Sequence, residues 1–218
     1  MDLQDTPPIT KAYLIASVGT SIAVQCNIVN AFQLFHTYRA TFESGQLWRL
    51  LTTFLYFGNL SLDFFFHIFF FMRYSKMIEE NAFHGRKADY LWMLLISATL
   101  LLILSPLSPS PFLSSPLSFT LVYLWSRLNP NVRLSLFGLI TITAPYLPYA
   151  LVAFSWVLSS SWNGVVGDLL GIAVGHTYFF LSQIWSKERS SNKRNWLATP
   201  TLLTRLLDGP QALERRDD

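Results

Sequence analysis

The stretch that decides the fold runs from Tyr90 to Ser126, YLWMLLISATLLLILSPLSPSPFLSSPLSFTLVYLWS. It is 37 residues long and holds no Asp, Glu, Lys or Arg. One bilayer crossing by a helix needs about 20 mostly apolar residues, so the run exceeds a single crossing. Its middle reads Ser105-Pro106-Leu107-Ser108-Pro109-Ser110-Pro111. No helix interior tolerates prolines so closely spaced, because each removes a hydrogen bond and clashes with the preceding turn. The run is therefore a helical hairpin, with spans near 90–107 and 113–128.

Working outward, Ala12–Tyr38, Leu134–Gly167 and Leu169–Ser186 are also free of charge, and Leu50–Met72 is broken only by Asp63. These add spans near 12–32, 54–74, 134–156 and 165–185, with boundaries good to about 2–4 residues. The expected fold is an all-α integral membrane protein with six transmembrane helices over 1–186 and a short cytosolic tail over 187–218. Strand alternation is absent, which argues against a β-barrel. Asp89 is placed to cap the third span, and Asn129-Pro130 ends the fourth. Pro145 and Pro148 fall inside the fifth and should kink it.

Composition agrees. The chain is 51% hydrophobic and 13% charged, the charge being about half that of an ordinary soluble domain. Disorder is excluded by the hydrophobicity, and the lack of charge argues against a soluble surface. The single cysteine, Cys26, excludes an intrachain disulfide and a cysteine-based metal site. Nothing points to a metal or cofactor.

The net charge is +3, and its placement carries the meaning. Of the Lys and Arg, only Arg39 and Arg49 lie on one side of the six spans; all the others lie on the side holding both termini. The positive-inside rule then puts both termini in the cytosol. It also explains the basic balance without nucleic acid. The N-terminus lacks a basic region and an A-x-A site, so the first span reads as an uncleaved anchor. Asn59-Leu60-Ser61 fits a glycosylation sequon, on the non-cytosolic side but close to the membrane.

Several residues are costly in a membrane. Asp63 and His67 stand at i and i+4 on one face of the second span. They read either as the wall of a water-filled cavity, with Tyr146 and Tyr149 opposite, or as a local pair snorkelling to the interface. Gly167, Gly171 and Gly175 form a smooth stripe on the sixth span, suited to close helix packing. Asp168 and His176 lie beside it. A catalytic His176 needs a nucleophile, and rhomboid-type intramembrane proteolysis uses a Gly-x-Ser motif on the fourth span. Here the region reads Ser114-Ser115-Pro116-Leu117-Ser118, with no preceding glycine. A Ser118–His176 dyad stays open as the alternative, and a structural hydrogen bond is the preferred reading of His176.

Trp48-Arg49 follows Gln46-Leu47 in the non-cytosolic loop. Indole prefers the interface and guanidinium binds carbonyls or phosphates, so the pair reads as an anchor within an amphipathic stretch, 33–53. In the tail, Thr199 as N-cap and Pro200 at N1 start a short helix over 199–207. Its Leu202, Leu203, Leu206 and Leu207 either face the membrane surface or dock on a partner.

Taken in order, Gln46-Leu47-Trp48-Arg49, Ala82-Phe83-His84-Gly85-Arg86, Tyr123-Leu124-Trp125, Tyr146-Leu147-Pro148, Gly171 to His176, and Asn195 to Pro200 resemble the Derlins. These are rhomboid-like pseudoproteases of the endoplasmic reticulum. The resemblance implies a rhomboid-like six-helix fold without protease activity, in the endoplasmic reticulum membrane. It implies a role in ER-associated degradation, moving misfolded luminal or membrane proteins to the cytosol. Implied partners are HRD-type membrane ubiquitin ligases with their adaptors and a cytosolic AAA ATPase. Homo- or hetero-oligomers stay open. Trp48 and Arg49 match the family's loop motif, and Gly171 and Gly175 its G-x-x-x-G motif. The Phe/Gly/Arg-containing ATPase-binding motif of many Derlin tails is not seen after Leu207, so the ATPase is expected to be reached indirectly.

Overall fold

The computed structural model describes residues 6–136, 140–159, 162–185 and 198–209. The helices are α1 (Pro8–Gln25), α2 (Arg49–Leu55), α3 (Leu62–Met77), α4 (Lys87–Leu104), α5 (Ser114–Leu128), α6 (Leu147–Ser159), α7 (Trp162–Phe179) and α8 (Thr201–Leu207). A π-helical turn, Ile78–Ala82, extends α3, and another, Phe180–Trp185, extends α7.

The bundle is built around α5, which is buried along most of its length. Its tightest partner is α7, and α3, α6, α4 and α2 pack around the pair. The core is apolar, with small polar groups set into it, and the outer faces are apolar as well. Thr10, Ser17, Ser21, Ser75, Ser97, Ser118, Thr120 and Ser126 are buried, while Ile15, Phe65, Ile103 and Val157 are each more than 60% exposed. In water, large apolar side chains on several outward faces would be a severe liability. In lipid, outward apolar groups and inward small polar groups are the expected arrangement. Among the described residues two helices, Lys87–Leu107 and Trp162–Gln183, are by themselves long and apolar enough to cross a bilayer.

Local chemistry explains where elements stop. α1 ends at Gln25, short of the expected 32, because Asn27 takes φ +56°. The Ile28 N–H then donates to the Ala23 carbonyl and the Asn27 N–H to the Val24 carbonyl, the hydrogen-bond pattern of a Schellman stop. The expected span at 54–74 begins later, as α3 at Leu62, and its first residues belong to the end of the separate short helix α2. Gly58 at φ +102° turns the chain between α2 and α3, a conformation that side chains rarely adopt. Ser61 Oγ then accepts the Phe64 N–H and caps α3.

The expected span at 134–156 needs the largest correction. Arg133–Leu136 and Ile140–Thr143 form an antiparallel hairpin, with Arg133 opposite Thr143 and Leu134 opposite Ile142. The β-branched run Ile140-Thr141-Ile142-Thr143 suits a pleated surface better than a helix. Pro145 lies in a short 3-10 turn, Ala144–Tyr146, and Pro148 in the first turn of α6. Neither kinks a helix; both help to start one.

Sequence reading missed a polar joint beneath α1. This helix has no capping side chain of its own. Glu79 supplies the cap from across the bundle, accepting the Ile9 N–H at 3.2 Å, the Thr10 N–H at 2.9 Å and the Thr10 hydroxyl at 2.7 Å. Thr10 Oγ1 also meets Ser75 Oγ at 2.7 Å, which meets the Tyr90 hydroxyl at 2.5 Å. Removing Glu79 orphans buried donors, at about 1–3 kcal/mol each. Glu79→Ala should therefore free α1, raising amide exchange across residues 8–25 while exchange in α5 stays slow. Uniform protection in the variant would contradict this role.

The tail helix α8 packs on α4 rather than standing free. Asp208 accepts the Lys87 N–H at 2.9 Å and the Ala88 N–H at 3.3 Å, so the tail caps α4. Asp89, expected to be that cap, sits inside the first turn and accepts the Thr199 hydroxyl at 2.5 Å. Thr199 is thereby diverted from capping α8, whose N-cap position is taken by Pro200. The four leucines divide: Leu203 and Leu207 are partly covered, and Leu202 and Leu206 face outward.

Candidate functional site

A chain of polar groups crosses the bundle and joins four helices. It starts in the first turn of α3, where Asp63 Oδ1 lies 3.4 Å from His67 Nε2. The i, i+4 spacing brings the two side chains together. His67 Nδ1 lies 3.4 Å from Ser115 Oγ at the start of α5. Ser115 donates to Asp168 Oδ1 on α7 at 2.6 Å, and Ser155 on α6 donates to Asp168 Oδ2 at 2.9 Å. Asp168 is 1% exposed. Both of its oxygens are satisfied, which a buried carboxylate requires.

Against this chain lies a cavity between α3, α5 and α6. Its polar lining is Asp63, His67, Ser118 and Ser155; Phe66, Phe70, Phe119, Val122, Leu151 and Phe154 make the rest. Its volume of about 20 Å³ is room for one water-sized group. The structure thus brings together Asp63, His67 and Asp168. It leaves Tyr146 and Tyr149 outside: both are at least half exposed, near the start of α6. The α6 wall is formed instead by Leu151, Phe154 and Ser155. Ser155 stands six residues beyond Tyr149, about 9 Å along the axis.

The residues weighed for catalysis are engaged elsewhere. Ser118 Oγ donates to the Ser114 carbonyl at 3.1 Å. His176 Nδ1 bonds the Tyr123 hydroxyl at 2.6 Å, and Arg127 Nε donates to that same hydroxyl at 2.9 Å. Asp63, His67 and Ser115 have the residue types of a proton relay. A working relay needs the base to hold the hydroxyl proton. Here both links to His67 are 3.4 Å, and Ser115 directs its proton to Asp168. This geometry ties helices together.

The glycine stripe sets the distance between α5 and α7. A methyl group at Gly171 would lie 2.1 Å from the Pro116 carbonyl oxygen, and one at Gly175 3.1 Å from the Thr120 carbonyl oxygen and the Tyr123 ring. At Gly167 the nearest atom is the Pro116 side chain at 3.4 Å. Thr120 Oγ1 lies 2.9 Å from the Gly171 carbonyl and 3.0 Å from the Pro116 carbonyl, so one hydroxyl serves both helices at their closest approach.

Trp48 and Arg49 are adjacent but face opposite ways. Arg49 is 8% exposed and donates through Nη1 to the Phe32 carbonyl at 2.8 Å and the Phe35 carbonyl at 2.9 Å. Its Nε donates to Gln46 Oε1 at 2.6 Å, and its guanidinium covers the Phe35 ring. Of the partners considered for it, carbonyls are the ones it binds. Trp48 is 57% exposed and joins Phe32, Tyr38, Phe42, Leu47 and Leu51 among the exposed apolar groups of residues 32–51.

The missed residues are Ser115, Ser155, Thr120 and Glu79. Ser115 has a weak sequence signal, since serines crowd 105–118. Ser155 has none before α6 and α7 are set side by side.

A helical bundle with apolar outer faces and a polar chain linking its inner helices fits a helical membrane protein. Residues 6–201 match the Der1-like family, and the chain belongs to it. It is similar to Derlin-2.1 of Arabidopsis thaliana, 39% identical over 225 residues, covering 97% of this chain and 89% of the relative. It is also similar to Derlin-2 of Oryza sativa subsp. japonica, at 39% over 212 residues (92% and 82%), and to a probable derlin-2 homolog of Dictyostelium discoideum, at 35% over 215 residues (95% and 82%). Membership points to a role in ER-associated degradation and to an inactive rhomboid-like family.

Proposed function

We propose that the chain crosses the endoplasmic reticulum membrane six times, through α1, α3, α4, α5, α6 and α7, with both termini in the cytosol. There it acts without catalysis, helping misfolded luminal or membrane proteins return to the cytosol for degradation. The observation that carries this reading is the polar chain from Asp63 to Ser155, set against a cavity between α3 and α6.

The chemistry is that of lowering a solvation cost. A substrate segment with unpaired backbone groups loses several kcal/mol per group in hydrocarbon. In its closed form the cavity is a seam rather than a conduit. α3 and α6 meet over a small area, whereas α5 and α7 are closely packed. Parting the first pair exposes the polar groups sideways to lipid while the second pair holds the frame. α5 has 15 residues and α6 has 13, about 22 and 20 Å at 1.5 Å per residue. Both fall short of a hydrocarbon core of about 30 Å, which favours a locally thinned bilayer.

Such a half-channel is completed by a neighbour, for which an HRD-type ubiquitin ligase complex fits. The tail helix is engaged with α4, which favours contact with a cytosolic ATPase through the ligase or an adaptor. The test is complementation in cells lacking their own Derlins, following decay of a misfolded luminal glycoprotein after translation is blocked. The wild-type chain and Ser118→Ala should both restore decay. No rescue by the wild type would overturn the reading. Rescue lost with Ser118→Ala, together with loss of a cleaved fragment, would favour the protease alternative.

A further inference from the structure

We propose that the cavity between α3 and α6 is a receptor for a cationic side chain, above all the ammonium of a lysine within a substrate's membrane segment. The inference rests on the proposed function and adds a substrate class to it.

Asp63 is the starting point. Its Oδ1 is covered by protein, and its partner among the described residues is His67 Nε2, a long ionic contact at 3.4 Å. The Asp63 side chain is 39% exposed, so it is neither sealed like Asp168 nor free at a surface. A half-covered carboxylate at the end of a membrane helix, beside an apolar seam, gains from a counter-charge or a donor. The protein supplies the first turn of α3 and one long contact from His67, which leaves room for a stronger cation. Among the described residues no lysine or arginine lines the cavity, and its ionisable lining is Asp63 and His67. His67 stands between two carboxylates, Asp63 directly and Asp168 through Ser115.

The remaining walls fit a cation as well. Phe66, Phe70, Phe119 and Phe154 line the cavity, and Phe66 and Phe154 meet edge to face with centroids 5.2 Å apart. Aromatic faces attract ammonium groups and do so more strongly away from water. Val122 and Leu151 offer apolar surface to a methylene stem. A space for one water-sized group admits an ammonium more readily than the broader guanidinium. An acidic side chain would meet Asp63 with like charge. The expected order of preference is Lys, then Arg, then Leu, with Asp last. A lone lysine in a membrane segment has no partner until the protein containing it assembles, so the site would read that chemistry as a mark of an unassembled subunit.

The test uses the full-length protein in phosphatidylcholine vesicles, with a fluorescent label on the protein and a matching label on single-span peptides. The peptides are alike except for one central Lys, Arg, Leu or Asp, and energy transfer reports association. The lysine peptide should associate about 10-fold more tightly than the leucine peptide, the scale of one desolvated charge contact. Asp63→Asn should bring the two within about 2-fold of each other, and Asp63→Lys should favour the aspartate peptide. Phe154→Leu, which keeps the carboxylate and removes a ring, should reduce the lysine preference in part. Its thermal melt, compared with that of the wild type, separates this from misfolding. Leucine and lysine peptides associating equally, or a lysine preference surviving Asp63→Asn, would overturn the proposal while leaving the groove as a substrate site. No association by any peptide would overturn the groove itself.

Discussion

Gly171→Ala is expected to be the most damaging small substitution in the chain, destabilising the detergent-solubilised protein by about 3 kcal/mol or more. The added methyl would sit 2.1 Å from the carbonyl oxygen of Pro116 and 2.8 Å from its carbonyl carbon. These are backbone atoms at the start of the central helix, so no rotamer change relieves the clash. The helices must part, and the Thr120 hydroxyl that serves both loses one of its carbonyls. Gly175→Ala meets a carbonyl and a tyrosine ring at 3.1 Å, and the ring can shift by tenths of an ångström. Its cost should be about 1 kcal/mol. Gly167→Ala makes ordinary contact and should fall within about 0.5 kcal/mol of the wild type. Thermal melts of the three variants check this order. Equal effects at Gly171 and Gly167 would mean that α5 and α7 do not pack in this way.

Arg49→Ala should cost about 3 kcal/mol, because hydrogen bonds from a charged donor are worth about 1.5–3 kcal/mol and two carbonyls lose theirs. The substitution releases the chain around Phe32 and Phe35 from α2. Arg49→Lys should not restore it, since one ammonium cannot reproduce a planar fork that also reaches Gln46. Trp48→Ala should behave differently, melting within about 0.5 kcal/mol of the wild type because its side chain already faces outward. If both variants slow substrate turnover, they do so for separate reasons: one by loosening the loop, the other by removing an interfacial indole from a lipid or protein contact. Proteolysis of the 26–48 loop distinguishes them, with rapid cutting expected for Arg49→Ala alone.

What the sequence revealed depended on how local the signal was. The Ser/Pro-rich turn between α4 and α5, the i, i+4 pair Asp63 and His67, and the glycine stripe of α7 are patterns within single elements. What was hidden was pairing between elements. An isolated serine such as Ser155 carries no mark, and its role appears when α6 lies beside α7. An apolar run does not announce where its helix begins, so it suggests a place for Tyr146 and Tyr149 beside Asp63 that they do not take. With α6 starting at Leu147, these residues fall at its end rather than beside Asp63. The paired strands Arg133–Leu136 and Ile140–Thr143 lie in a run whose apolarity suggests a helix, and the β-branched residues of 140–143 are the signal that outweighs it. The caps were the least legible. Glu79 on α1 and Asp208 on α4 act across distances in sequence that no capping pattern spans.

The central claim is that substrate enters between α3 and α6. The most direct measurement is photocrosslinking during degradation of a misfolded luminal glycoprotein, with a photoreactive side chain placed at one position at a time. Positions 66 and 154 line the cavity. Positions 103 and 149 are outward-facing controls on α4 and α6. Substrate adducts at 66 and 154 that build up when the cytosolic ATPase is inhibited, with little at 103 or 149, are the predicted result. Adducts equal at all four positions, or confined to 103 and 149, would contradict the account.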